Sequence, residues 1–401
     1  MSKVITEETS IVSCDDIELN YKRPQKLLFK YSYPETVKLK GYVFLLHGYG
    51  AEPSYMDHLR EYIAKEFSVV AVDVYYHCFF SRLENGASLE FDDIDLAVLQ
   101  DFIKQYEIDF STLQNISTES VLYTINQKLN TLKINKSIKS DFVLQLPITI
   151  IPKNNEYQNF GFMQAVDYIN VIHELEKIPF NFEEGYTTTL MGSSHGGYLA
   201  HLIAKLAPHK INCVIDNSCY VKPPSNYFLG KELNILNPEY IFTHEHIQLN
   251  CFVQTLWTTN QKSKYLFTTD HFRIRDLNDH TQLEIMSTLL SSTTKYISYH
   301  STQDGIANIN DKDELYKKLK ILGFDATLNI INQIDGKFIK TLAHGMNMSL
   351  KELANRELPT ALAIKNIKNI KNQDIIYEGD SKIYKLIYRN NILTVKIVEI
   401  K

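Results

Sequence analysis

Thr187–Leu199 reads TTTLMGSSHGGYL. A β-branched, apolar run enters a Gly-x-Ser-x-Gly turn (Gly192, Ser193, Ser194, His195, Gly196), and a helix-forming run, YLAHLIAKLA, follows at once. Strand, sharp glycine turn and helix, in that order, form the setting of a nucleophile elbow and put Ser194 at its tip. A serine held there has a strained backbone, and glycines two before and two after it keep Cβ atoms out of the neighbouring strand and helix. A bare five-residue pattern recurs by chance; the context on both sides gives this one its weight.

Outward from the elbow the chain has the strand–helix–strand rhythm of a doubly wound sheet. Tyr42–Leu46 (YVFLL) is a short apolar run of the kind buried on both faces of a parallel sheet. It ends in His47-Gly48-Tyr49-Gly50, and Ser54–Glu66 has helical periodicity behind Pro53. Further strands are expected at Ser68–Val74, Ile211–Asp216, Lys295–His300 and Ala326–Asn332, with helices near Phe160–Ile178 and Asp311–Leu322. Two stretches interrupt the rhythm. Residues 75–159 read as mostly polar and helical, with aromatics at the start and one very apolar patch, Phe142–Ile151; residues 219–292 carry the lone tryptophan, Trp257. The expected organisation is core at 1–74, a cap insertion at 75–159, core with the elbow at 160–218, a second insertion at 219–292, core at 293–365 and a C-terminal β extension at 366–401. That extension reads as a β-meander turning at Asn390-Asn391, suited to packing or dimerisation.

Composition narrows the classes. The 401 residues are 44% hydrophobic, enough for a large core, and 42 basic against 47 acidic residues leave a net charge of −5. No broad basic footprint of a nucleic-acid binder is present. The start, MSKVITEETSIVSCDDIEL, has no apolar core of signal-peptide length, and no run approaches the ~18 apolar residues of a membrane span. No membrane partner and a cytoplasmic location are therefore expected. Five scattered cysteines without a CxxC pair indicate neither a disulfide framework nor structural zinc. His244-Glu245-His246 with Cys251 lacks the further ligands a metal site needs, so no metal or other cofactor is expected.

A serine nucleophile requires a base and a carboxylate that orients the base. On this kind of sheet the chain order is serine, acid, histidine. Asp304, in HSTQDGIANI, follows the Lys295–His300 strand; His344, in TLAHGMN, follows the Ala326–Asn332 strand. Asp216 rivals Asp304 because it too ends a strand, and Asp335 is weaker. His280 and His300 are lesser candidates for the base. Two oxyanion donors are expected: the backbone N–H of His195, whose ring should point away from the serine, and the N–H of Tyr49 after the YVFLL strand. Tyr75, Tyr76 and Phe79 open the first insertion, where aromatics line a substrate cleft or pack cap against sheet.

LLHGYG, VVAVDV, GSSHGGYLA, HSTQDGIANI and AHGM together resemble the α/β-hydrolase superfamily, and Gly196-Gly197-Tyr198 resembles its esterase and prolyl-oligopeptidase-like branch. The whole chain is also similar to a bacterial family of α/β-hydrolase-like proteins of unknown function found in flagellated epsilon-proteobacteria. The resemblance implies an α/β fold: a mostly parallel central sheet with helices on both faces and inserted cap segments. It implies Ser194, Asp304 and His344 as catalytic residues, with Tyr49 and His195 at the oxyanion. The expected activity is hydrolysis of an acyl or acetyl ester of a small molecule or glycan. A serine peptidase, an acyltransferase and a non-catalytic hydrolase-fold binding module are the alternatives, and a homo-oligomer is compatible with all of them.

Overall fold

A computed structural model describes residues 3–106, 117–289, 293–365, 373–389 and 392–400. The chain divides into two compact units, one of Met1–Phe79, Phe160–Pro223 and Phe267–Lys401, the other of Phe80–Asn159 and Pro224–Leu266. The pieces of the second unit lie within the insertions expected at 75–159 and 219–292. Among the described residues no helix is long and apolar enough to cross a membrane.

With strands numbered along the whole chain, the first unit holds β1 (Val4–Val12), β2 (Lys26–Pro34), β3 (Leu39–Leu46), β4 (Val70–Tyr75), β7 (Phe182–Ser193), β8 (Cys213–Asn217), β11 (Lys295–Ser301) and β12 (Asp325–Ile331). They form one sheet in the order β1-β2-β4-β3-β7-β8-β11-β12. β1 and β2 pair antiparallel, as do β2 and β4; every pairing from β4 through β12 is parallel. Central strands of a parallel sheet are covered on both faces, and every residue of β4 and β8 is buried, whereas the edge strand β12 alternates with exposed positions. The covering helices are α1 (Asp57–Phe67), α4 (Phe162–Leu175), α5 (His195–Leu206), α7 (Thr269–Arg275), α8 (His280–Thr288), α9 (Ile309–Ile321) and α10 (Leu350–Leu362). Val43, Leu45, Met191 and Ile215 of the sheet pack with Ile63 of α1 and with Leu353 and Leu358 of α10 in one apolar core. Helix α5 packs on β3, β7 and β8 and is buried along its whole length.

The last turn of α5 meets the C-terminal antiparallel sheet of β13 (Gln373–Glu378), β14 (Lys382–Arg389) and β15 (Ile392–Glu399). The Tyr377 hydroxyl donates to the Lys205 carbonyl at 2.7 Å and the Tyr388 hydroxyl to the Leu206 carbonyl at 3.1 Å. Both carbonyls belong to the last turn of α5, which has no intrahelical donors left for them. A buried ion pair anchors the same sheet: Arg275 donates to Glu18 at 2.8 Å, and Tyr384 donates to that carboxylate at 2.9 Å. Within the chain the extension packs against the end of α5 and bonds to Glu18. Asn390-Asn391, the expected turn, lies outside the described residues.

The second unit departs from the helical segment expected for residues 75–159. It contains a four-stranded sheet of β5 (Ser88–Glu90), β6 (Leu144–Ile151), β9 (Tyr240–His244) and β10 (Ile247–Val253) in the order β5-β6-β10-β9, with helices α2 (Asp93–Gln105), α3 (Thr118–Ile134) and α6 (Asn226–Leu233). The apolar patch becomes β6 and pairs parallel with β10 from the other insertion. An eight-residue run with β-branched residues, LQLPITII, suits a buried strand better than a helix. Lys231 of α6 fastens the unit by donating to Asp92 at 2.7 Å and to Asp95 at 2.8 Å.

Replacing Tyr377 or Tyr388 by Phe leaves a buried carbonyl of α5 without its donor. Each single variant is expected to lose about 1 kcal/mol in urea unfolding, and the double variant about 2. Unchanged stability in both would contradict the capping role.

Candidate active site

Adjacent parallel strands bring their carboxyl ends to one edge of the sheet, where ligands of such sheets bind. Here that edge carries the loop after β3 with Gly48 and Tyr49, the turn after β7 with Ser194, the end of β8 at Asn217, the loop after β11 with Asp304, and the loop after β12 with His344.

Ser194 sits at φ 55°, ψ −121°, a conformation that L-residues avoid, between the last residue of β7 and the first of α5. A Cβ on Gly196 would lie 2.0 Å from the Leu46 carbonyl oxygen, and one on Gly192 would lie 2.4 Å from the Gly196 carbonyl carbon. No other residue fits either position. The Ser194 N–H donates to the Asn217 carbonyl at 2.8 Å, which ties the turn to β8.

The Ser194 Oγ lies 2.7 Å from Nε2 of His344, and the Nδ1 of that ring lies 3.0 and 2.9 Å from the two Asp304 oxygens. Asp304 also accepts the backbone N–H groups of Ile306 and Ala307, both at 2.9 Å. Burial pushes its carboxyl up, but the bonds from His344 and those N–H groups outweigh burial and hold it below the usual carboxylate range. The histidine loop is compact: Gly345, Met346 and Asn347 all have positive φ. Two side chains brace it, Asn217 donating to the Gly345 carbonyl at 3.1 Å and Ser301 donating to the Leu342 carbonyl at 2.6 Å. Neither was singled out in the sequence. Both end strands that carry site residues, and that position was the available signal.

The rivals lie elsewhere. Asp216 binds His201 at 2.8 Å, Lys312 at 2.8 Å and Ser298 at 3.0 Å, and makes no bond to His344. Asp335 accepts three backbone N–H groups of its own turn, from Lys337, Phe338 and Ile339. His300 donates to the Ala307 carbonyl at 3.0 Å, and exposed His280 faces Glu284. His244 and Glu245 are exposed at a hairpin, while His246 faces Lys133. Among the described residues, the one group with three nearby metal-ligand atoms is His201, Asp216 and Cys219. The Lys312 ammonium stands between two of them, 2.8 Å from Asp216 Oδ1 and 2.5 Å from Cys219 Sγ, and its charge opposes a cation there.

The His195 ring is fully buried with Nε2 2.7 Å from Oε1 of Gln164 and Nδ1 bonded to the Tyr220 hydroxyl. The Gln164 oxygen also accepts the Gly161 N–H, so it is the acceptor and His195 donates from Nε2. Tyr49 and Ser194 line one groove of about 610 Å³ together with Glu52, Tyr55, Met56 and Met348. The three aromatics expected on a cleft do not line it. Tyr75, Tyr76 and Phe79 are buried, in ring contacts with His47, Tyr168 and His195. Their apolar surface goes into packing behind the elbow.

This strand order, with a serine on a glycine-flanked strand-to-helix turn and an aspartate and a histidine on later strand-end loops, is the α/β-hydrolase fold. The chain belongs to the family DUF2920, described as proteins of unknown function, which matches it over residues 7–397. Among curated proteins none matches it in sequence. Similar solved structures include brefeldin A esterase, a bacterial homologue of human hormone-sensitive lipase, at 13% identity over 92% of this chain and 76% of that one, with a TM-score of 0.43. A substrate-bound serine hydrolase of Staphylococcus aureus, FphF, is 12% identical over 90% and 98% of the two chains (TM-score 0.45). Pyrococcus horikoshii acylaminoacyl peptidase is 11% identical over 92% of this chain and 42% of its own (TM-score 0.47).

Burial pushes the His195 imidazole down to about 3 from an ordinary 6.5, and His271 down to about 4. The unfolded chain protonates these rings near pH 6.5 while the folded chain does not, so stability falls as pH drops through that window. Carboxylates with depressed values, Asp304 and Glu18, add their loss only below about pH 4. The urea midpoint is therefore expected to fall between pH 6.5 and 4.5, and His195→Asn, which keeps a donor and an acceptor, should show a shallower fall. Equal slopes would contradict the buried neutral ring.

Proposed function

We propose that the chain is a serine hydrolase acting on carboxylic esters through an acyl-enzyme, with Ser194 as nucleophile, His344 as base and Asp304 as the group that orients it. The observation that carries this reading is the unbroken line of hydrogen bonds Ser194–His344–Asp304 at 2.7 to 3.0 Å. His344 takes the Ser194 proton through Nε2 as Oγ attacks the carbonyl carbon, and returns it to the leaving alcohol. Asp304 keeps the Nδ1–H tautomer and stabilises the imidazolium that forms. The N–H of His195, at the first position of α5, and the N–H of Tyr49 receive the oxyanion, aided by the positive end of that helix. Water, deprotonated by His344, then releases the acid. The substrate is an acyl ester of a small molecule or sugar.

One observation favours a second reading. Glu52 is exposed and is the one carboxylate on the groove among its described lining residues, which also include no lysine or arginine. It suits a substrate amine, so amino-acid esters and amides belong in the assay.

The test is labelling with an ethoxy fluorophosphonate probe alongside hydrolysis of p-nitrophenyl acetate. Wild type should label, Ser194→Ala should not, and His344→Ala and Asp304→Asn should each lose about 10³-fold or more in rate. Labelling that survives in Ser194→Ala would remove the nucleophile assignment.

A further inference from the structure

The groove at Ser194 does not end there. A second concavity of about 410 Å³ shares Tyr55, Met56, Met348 and Leu350 with it and continues to Leu59 and Tyr62 of α1. The two are one trough, running from the serine between the segment that enters α1 and the segment that enters α10. Its walls combine apolar side chains with polar ones such as Glu52, His58, Asn347 and Ser349. Met56 and Met348 are nearly buried, Leu59 and Leu350 are half-buried against the apolar core, and Tyr55 presents a ring that is 64% exposed. Thioether side chains adapt their shape to a flexible apolar occupant.

Fixed positive charge is scarce on the lining. The single carboxylate on the first concavity is Glu52, and its described lining has no lysine or arginine. Lys351 touches the far end only, and there it lies over the Tyr62 ring at 4.1 Å. His58 lines that far end too, so the end of the trough next to the serine carries no lysine or arginine to meet a phosphate or a carboxylate beside the ester.

Resting on the ester-hydrolase reading, we infer that the trough Tyr55–Met56–Met348–Leu350 holds an unbranched, uncharged hydrocarbon chain of the ester, so that the substrates carry a medium-length chain on one side of the ester bond. The same wall would take that chain from the acyl or from the alcohol side, and the experiment separates the two. A buried methylene contributes about 0.8 kcal/mol, or roughly three- to fourfold in affinity.

Binding is measured by calorimetry on the full-length Ser194→Ala protein, which removes turnover. One arm uses methyl esters from acetate to hexanoate; the other uses acetates of methanol to hexanol. Affinity is expected to rise roughly three- to fourfold per methylene in one arm and to stay flat in the other. The double variant Ser194→Ala/Tyr55→Glu, altered at an exposed position, is expected to flatten the rising arm. Flat profiles in both arms, or a rise that Tyr55→Glu leaves intact, would overturn the trough. Fluorophosphonate labelling of wild type reports separately on the serine: no labelling with a rising arm would fail the hydrolase reading and leave the trough standing.

Discussion

The start of α5 is crowded to the point where one backbone crosses another. Gly196 passes so close to the carbonyls of Leu46 and His47 that a Cβ there would lie within 2.0 Å of the first. That crossing locks the N-terminus of α5 against the end of β3. It brings the loop carrying Tyr49 beside α5, with the Tyr49 and His195 ring centres 5.6 Å apart, and it leaves Ser194 in a backbone conformation that the surrounding structure must impose. Helix α5 is buried along its whole length. The C-terminal sheet caps the last carbonyls of the same helix.

Behind the elbow, stiffness comes from buried polar groups. Lys312, Asp216, His201 and Cys219 are all buried together, with Cys219 packed against Gly197 of α5. Burial pushes the Lys312 ammonium down, but Asp216 outweighs it and keeps the amine above its ordinary value. Such a paired charge has few alternative arrangements, because breaking one bond strands an uncompensated ion. Asp216 therefore serves as an anchor under the sheet, although its place at a strand end made it resemble a catalytic acid.

The parts of the fold that were legible in the sequence are those with local chemistry. YVFLL, SVVAVDV and INCVID are continuous apolar runs, and the glycines around Ser194 announce a turn that nothing else tolerates. Asp304 and His344 were legible because parallel strands send the loops after them to one edge. The sheet of the second unit was not, since β6 and β10 are about a hundred residues apart in sequence and pair only after folding. Tyr75, Tyr76 and Phe79 misled for a related reason. An aromatic run looks the same whether its rings face a cleft or pack on His47 and His195, and only the tertiary structure decides. Gln164 works through hydrogen bonds to Gly161, His77 and His195, and no local pattern marks it; Asn217 is marked only by its place at a strand end.

The account stands most directly on covalent chemistry at one oxygen. Mixing the full-length protein with an excess of p-nitrophenyl hexanoate, quenching in acid within milliseconds and mapping the peptides by mass spectrometry would trap the intermediate. The account expects a hexanoyl group on Ser194 within the TTTLMGSSHGGYL segment. An acyl group on another residue, or product released with an unmodified protein at every quench time, would contradict it.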